Sequence, residues 1–292
     1  MKRTIIGIAI AAILIICIHY FYLSRKAPRE TYPDDTYLAS VNQKSALIIV
    51  AHDDDAISAS GTITCLCQSG WNIKELCFYN TVENDKEDER NLQRQRDILK
   101  VKEIEGLSDF TYVNLPFRSI SNQSKPAYMP LTTEEFDKQY NKDTLLFYIR
   151  KFIDENKPSI IFTLDNNIGG YGNPDHIVVS RLVLEECLRK AKDSSFPVQY
   201  IYQAVFTPSM AEHILGDLPV YKAALSAYGM SMPVPDVQIN IRDVAAQKKS
   251  VMEAYSTEQN CIRQIWPYYN YYPAALYFSL FDREFFKTIK LK

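Results

Sequence analysis

Hydrophobic positions along the chain fall into three kinds of run. The first, from Thr4 to about Leu23 in MKRTIIGIAIAAILIICIHYFYLSRK, is apolar without a period and follows two basic residues. At a helical rise of about 1.5 Å per residue such a run just spans a bilayer, so it predicts an N-terminal transmembrane helix within residues 1–26. A cleaved signal peptide is the rival reading. No small-x-small site follows the run, and Tyr20, Phe21 and Tyr22 continue it as an interfacial belt would, which favours an uncleaved anchor. Lys2 and Arg3 on one side are balanced by Arg25, Lys26 and Arg29 on the other, so the positive-inside count does not decide the orientation. The expectation is a single-pass, membrane-anchored chain with its remaining domain on the extracytoplasmic side. Residues 27–44, APRETYPDDTYLASVNQK, are polar with two prolines and read as a linker.

From Ser45 short apolar runs rich in β-branched residues alternate with amphipathic ones. SALIIVA predicts a strand covered on both faces, and Ala56 to Gln68 a helix stopped by Ser69 and Gly70. IKELCFYNT from Ile73 predicts a second strand. NDKEDERNLQRQRDILKVKEIEG predicts a long charged helix with Leu92, Ile98, Leu99, Val101 and Ile104 on its buried stripe. FTYVNLP, PSIIFTL and VQYIYQAVF supply three more strands, with helices over Lys142 to Glu155 and about Ile177 to Lys190. Strands alternating with helices mean an α/β domain, residues 45–292, built on a doubly wound, mostly parallel, Rossmann-like sheet. In such sheets ligands bind beyond the carboxyl ends of the strands, and two unusual loops, AHDDDA and GGYGNPDH, sit at that edge.

Composition narrows the function classes. The 292 residues are 47% hydrophobic, as an ordinary globular core requires, and 33 basic against 35 acidic residues give a net charge of −2. No polybasic field exists, so no nucleic-acid partner is expected. Six scattered cysteines form neither a disulfide framework nor a zinc knuckle.

The first loop poses a problem of charge, since Asp53, Asp54 and Asp55 follow His52 where a strand ends. Crowded carboxylates repel and are costly to desolvate, so a positive charge is expected there. His52 and Asp55, three apart where a helix begins, share a face, and His176 at the start of the helix after the fourth strand approaches from the neighbouring loop. An aspartate before a helix is ordinarily an N-cap, and a lone histidine at a strand end is ordinarily satisfied by backbone. Two such loops at one edge favour a metal site instead. Two histidines and a carboxylate with one position open describe a catalytic zinc centre. GGYGNPDH lacks the Lys-Ser/Thr end of a phosphate-cradling loop.

AHDDDAISASGTI resembles the A-H-P-D-D-E-x-x-x-x-G-G motif of the LmbE-like, or PIG-L, metal-dependent deacetylases, and GGYGNPDH is similar to their G-G-Y-G-H-P-D-H segment. The likeness runs in the same order from Ser45 to about Gln259. It implies an LmbE-type fold and hydrolysis of an N-acetyl group from an N-acetylglucosamine-type sugar or glycoconjugate. Zinc is the implied metal, with another divalent ion as an alternative. By position, His52, Asp55 and His176 would be the metal ligands, Asp54 the general base and Tyr171 a stabiliser of the tetrahedral intermediate. RQRDI resembles the family's R-x-x-E-L, which makes Arg94 a candidate for sugar binding.

The departures matter as much. Asp53 replaces the motif's proline and Ala56 its glutamate. Asn173 stands where the family has the histidine held to act as acid or oxyanion donor; an amide donates a hydrogen bond but gives up no proton at neutral pH. LPFR, Leu115 to Arg118, lacks the aspartate often found after Leu-Pro, and KKSVMEAYSTEQ has Tyr255 where the family commonly has histidine. These departures keep a second expectation open, a non-catalytic or weakly active glycan-binding relative. A magnesium phosphoesterase is less favoured, because histidine ligands suit zinc better than a hard cation. The aromatic stretch Ile265 to Phe286 is expected to be packing.

Overall fold

The strand Ser45–Val50 is covered on both faces, because every residue from Ala46 to Val50 is apolar and none is β-breaking. The computed structural model describes residues 2–79, 89–114, 118 and 128–292. The strands are β1 (Ser45–Val50), β2 (Asn72–Tyr79), β3 (Asp109–Asn114), β4 (Ile160–Leu164), β5 (Tyr200–Val205), β6 (Val237–Asn240) and β7 (Arg283–Lys290). The helices that matter to the site are α1 (Lys2–Ser24), α2 (Ser60–Gln68), α3 (Glu89–Glu105), α4 (Lys142–Asn156), α5 (Pro174–Lys190), α6 (Pro219–Tyr228), α7 (Ala245–Ala254) and α8 (Gln259–Ile265).

The seven strands form one sheet in the order β3-β2-β1-β4-β5-β7-β6. β1 to β5 run parallel, whereas β7 pairs antiparallel with both β5 and β6. Chain order reverses between β1 and β4, and there the loops after the two strands separate and leave a crevice. Alternation along β1 divides the core: Leu47 and Ile49 join Ile149 of α4 and Val179 of α5, while Ala46 and Ile48 join Ile63 of α2. A third cluster fills the C-terminal flank with Tyr269, Tyr277, Phe278 and Phe281. Most rings of the aromatic stretch are therefore core, although Tyr271 is exposed, and its last residues belong to β7.

Helix α3 is described over Glu89–Glu105; its expected start at Asn84, the end of the second strand at Asn80 and Thr81, and Leu115 to Phe117 lie outside the described residues. Ile98 and Val101 face inward as expected, but Leu99 points to solvent, and the buried face carries Arg94, Asp97 and Glu105 instead.

No helix among the described residues is long and apolar enough to cross a membrane. This overturns the expected transmembrane helix, and with it the single-pass anchor and the extracytoplasmic placement. The reason lies at the C-terminal end of the apolar run, which packs on the domain. His19 stands with its ring 4.6 Å from that of Tyr268, Tyr20 hydrogen-bonds Ser279 at 2.8 Å, and Leu23 is fully buried. Without those residues the run falls short of the roughly 20 apolar residues that a span needs. The segment read as a linker also lies against the domain. Gln238 of β6 donates its backbone N–H to Pro33 at 2.9 Å and accepts that of Asp35 at 3.0 Å, and Leu38 is buried.

Candidate metal centre

The chain leaves β1 into a tight turn, and a short 3-10 segment, Asp55–Ala59, precedes α2. Asp55 accepts the backbone N–H of His52 at 2.8 Å, which folds the loop back and sets both side chains on one side. After β4, Asp165 is fully buried and accepts the backbone N–H groups of Asn167, Ile168 and Gly170 at 3.0, 2.8 and 2.6 Å. That carboxylate shapes the glycine loop that leads to α5. Gly169 has φ +55°, and a Cβ there would lie 2.6 Å from the Cβ of His176, so neither the backbone nor the space admits another residue.

The two loops bring His52, Asp55 and His176 together, with one ligand atom of each within 4.8 Å of the others. His52 Nδ1 lies 3.0 Å from His176 Nε2, and His176 Nε2 lies 3.0 Å from Asp55 Oδ1. The outward nitrogens are occupied. His176 Nδ1 donates to the carbonyl of Gly169 at 2.9 Å, and His52 Nε2 faces Asp175 Oδ2 at 3.3 Å. Those partners assign the tautomers, so in the neutral rings the two inward nitrogens are both acceptors, turned towards a carboxylate. Three acceptors converging without a donor call for a positive charge. Where no ion is held, a proton on His52 answers that demand: burial opposes its charge, but the carboxylates of Asp55 and Asp175 outweigh that and push it up to about 10. Burial likewise opposes charge on Asp55, yet the two imidazoles hold its carboxyl well below the usual range. The donor set fits a divalent ion, with Asp175 as the carboxylate behind a histidine ligand.

The three aspartates are not held by one charge. Asp53 is buried under a forked contact from Arg94, whose guanidinium also donates to Glu258 at 2.7 Å, and the Tyr255 hydroxyl donates to the Asp53 carbonyl. Arg94, the residue proposed to bind sugar, thus lines the cavity while engaged by two carboxylates. Asp54 points into the cavity 3.6 Å from Arg94. Burial, then the adjacent Asp55 charge, pushes its carboxyl up to about 7.

Tyr171 packs edge-on against His176 at 5.1 Å, and burial with the Asp55 and Asp54 charges keeps its hydroxyl protonated well above the ordinary value. Asn173 is the N-cap of α5, its side-chain oxygen accepting the Asp175 N–H at 3.0 Å, and its amide, at the cavity wall, hydrogen-bonds the Tyr171 hydroxyl. Asp175 is a site residue that the motif reading passed over. Arg118 lies 3.3 Å from it and the Tyr140 hydroxyl donates to it, so it is itself held in place. Its signal in the sequence was its position immediately before His176, whereas Arg118 and Tyr140 lie too far away along the chain for any local pattern to connect them. His52, Asp54, Asp55, Tyr171, Asn173 and His176 line a cavity of about 530 Å³.

Residues 47–187 match the PIG-L family, described as GlcNAc-PI de-N-acetylase, so the likeness read in the two loops holds over that segment. No curated protein sequence matches the chain. Among solved structures, a deacetylase of the teicoplanin biosynthesis pathway is similar at 16% identity and TM-score 0.55, covering 84% of this chain and 98% of its own. An N,N'-diacetylchitobiose deacetylase from Pyrococcus horikoshii is similar at 15% identity and TM-score 0.50, covering 86% and 85%. The 4-carboxy-2-hydroxymuconate hydratase of Pseudomonas putida is similar at 13% identity and TM-score 0.53, covering 84% and 96%. Identities this low show a shared fold. That fold carries a hydratase as well as deacetylases, so the reaction has to be argued from the site.

Proposed function

We propose that this chain is a zinc-dependent hydrolase that removes the N-acetyl group from an N-acetylglucosamine-type sugar or glycoconjugate. The observation that carries the reading is the convergence of His52 Nδ1, His176 Nε2 and an Asp55 oxygen, all acceptors, on one point. His52, Asp55 and His176 would hold the ion, and two imidazoles with one carboxylate suit zinc better than calcium or magnesium. The PIG-L description, and the deacetylase activity named for two of the fold neighbours, support the same reaction.

When bound, zinc supplies Lewis acidity, which polarises an amide carbonyl and acidifies water. The rest falls to side chains. Asp54, which lines the cavity next to Asp55 without belonging to the three converging ligands, takes the proton of the attacking water as general base. Tyr171, protonated throughout, donates to the oxygen on which negative charge develops, and the Asn173 amide nitrogen is a second donor. Asp54 then returns its proton to the departing nitrogen, leaving acetate and a free amine. Arg94 holds Asp53 and Glu258 beside the base and contacts the sugar from the cavity wall.

The test is metal analysis of the purified full chain beside acetate release from a panel of N-acetyl sugars. We expect one zinc per chain, and an Asp54→Asn variant that keeps the zinc and loses about 10²- to 10⁴-fold in turnover. A variant as fast as the parent removes Asp54 as the base. The Asn173 cap favours one second reading, a glycan-binding relative, because a residue spent on capping a helix transfers no proton. Zinc and glycan binding without acetate release would establish it.

A further inference from the structure

We infer that Asp53 and Tyr255 are positioning residues that aim the base Asp54. This rests on the deacetylase reading and deepens it. Both side chains are 1% exposed and neither lines the cavity, so each acts through its neighbours. The Tyr255 hydroxyl donates to the Asp53 carbonyl, which belongs to the peptide unit joining Asp53 to Asp54. A peptide unit is planar, so a bond to its oxygen fixes the plane from which the Asp54 Cα departs. Rotation of that plane would re-aim the Asp54 side chain within the cavity.

The hold on Asp53 is a closed ring of bonds. Arg94 of α3 forks onto its carboxylate, with Nε at 3.2 Å, and donates to Glu258 at 2.7 Å. Glu258 donates its backbone N–H to the Tyr255 carbonyl at 3.2 Å, and Tyr255 returns to Asp53 through its hydroxyl. Ser256 ties the same segment to α3 a second time, its N–H and hydroxyl both donating to Asp97 at 2.8 and 2.6 Å. The sequence supplies a reason for such a ring. Asp53 stands where the resembled motif has proline, whose own ring sets its φ, and Tyr255 where histidine is common. An aspartate leaves that φ free, and the two departures meet at one hydrogen bond. Side chains from α3 and from the C-terminal end of α7 thus supply the rigidity that a proline would supply.

The test places Tyr255→Phe, which removes one hydroxyl and keeps the ring, in the zinc-loaded full chain and again on an Asp54→Asn background. With the base present, kcat for the best N-acetyl sugar of the panel should fall about tenfold or more, with KM within about twofold and zinc content unchanged. On Asp54→Asn the same substitution should change kcat by less than about twofold, because the base that it aims is gone. Asp53→Asn keeps the shape, weakens the fork and should show the same pattern. Unchanged kcat in either folded variant, or equal fold losses on the two backgrounds, overturns the inference, since a merely structural role lowers both alike. If no sugar is hydrolysed, the deacetylase reading fails separately. Amide hydrogen exchange then decides the positioning: residues 52–57 should exchange about threefold or more faster in Tyr255→Phe than in the parent, with α4 unchanged. Equal rates at 52–57, or the same acceleration in α4, sink it.

Discussion

Two clusters of buried charge lie within one cavity wall of each other and solve their electrostatics in opposite ways. In the C-terminal flank, Lys248 of α7 and Glu284 of β7 are almost fully buried and paired. Lys248 also donates to the carbonyl of Ile57 at 3.1 Å, and Glu284 accepts the N–H groups of Gly61 and Thr62 at 2.9 and 2.7 Å, capping the start of α2. Gly61 is there because a Cβ would meet Ile241 at 2.7 Å and the Glu284 carboxylate at 3.0 Å. Every charge in this group finds its complement within the chain. At the β1/β4 crevice, by contrast, His52, Asp55 and His176 present acceptors to one another. The complete cluster holds the scaffold, and the incomplete one is the group that could hold an outside cation.

The comparison breaks most visibly at Lys248. Lys248→Met leaves the Glu284 carboxylate buried and unpaired, which costs about 3–5 kcal/mol of folding stability by urea unfolding. Lys248→Met with Glu284→Gln should recover much of that loss, because no uncompensated charge remains. A double variant as unstable as the single one would show that the pair does more than balance charge.

At the incomplete cluster the expected losses fall on chemistry rather than folding. Tyr171→Phe removes one donor to the developing oxyanion and should lower kcat about 10²- to 10³-fold with little change in melting temperature or zinc content. An unchanged kcat would pass the role to Asn173. Asp175→Asn weakens the carboxylate behind His52 and should reduce zinc affinity about 10- to 100-fold in a chelator competition, with a smaller effect on the metal-saturated rate. Wild-type affinity in that variant would make Asp175 a helix-start residue and nothing more.

These residues also mark where the sequence could be read and where it could not. β1, β4 and β5 are legible because short β-branched runs between turn signals permit little else, and the convergence of His52, Asp55 and His176 is legible because each loop places its side chains locally. β6 and β7 are not, since VQIN is four residues long and REFFKTIK sits in an aromatic stretch whose pairing with β5 spans some 80 residues of chain. Pairings at that distance are set by packing and leave no local period. The same holds for Arg94 on Asp53 and Arg118 on Asp175, where a local motif supplied one partner and the fold supplied the other. The apolar run at the N-terminus misled because hydropathy records that residues avoid water and not what they pack against, and His19, Tyr20 and Leu23 pack on the domain.

A third kind of buried charge sharpens the contrast, and its effect is the smallest. Glu75 of β2 and Glu105 of α3 are buried, and their carboxyl oxygens have no hydrogen-bond partner among the described residues. Burial first pushes each well above its ordinary value of 4.5, and a neighbouring carboxylate adds to it, Glu105 for Glu75 and Glu284 for Glu105. Both therefore keep their protons to higher pH in the folded chain than in the unfolded one. The sign follows from proton counts: above pH 4.5 the unfolded chain has released these protons while the folded chain keeps them, so stability falls as pH rises. It is fully present below 4.5 and is lost as pH climbs through the raised folded values, by at most about 1.4 kcal/mol per pH unit for each group. Glu75→Gln keeps the shape and removes one titration, so the fall in urea-unfolding stability between pH 5 and pH 8 should become shallower by up to that slope. An identical slope in parent and variant would mean that Glu75 ionises in the folded chain as readily as in the unfolded one, and that a partner compensates it as Lys248 compensates Glu284.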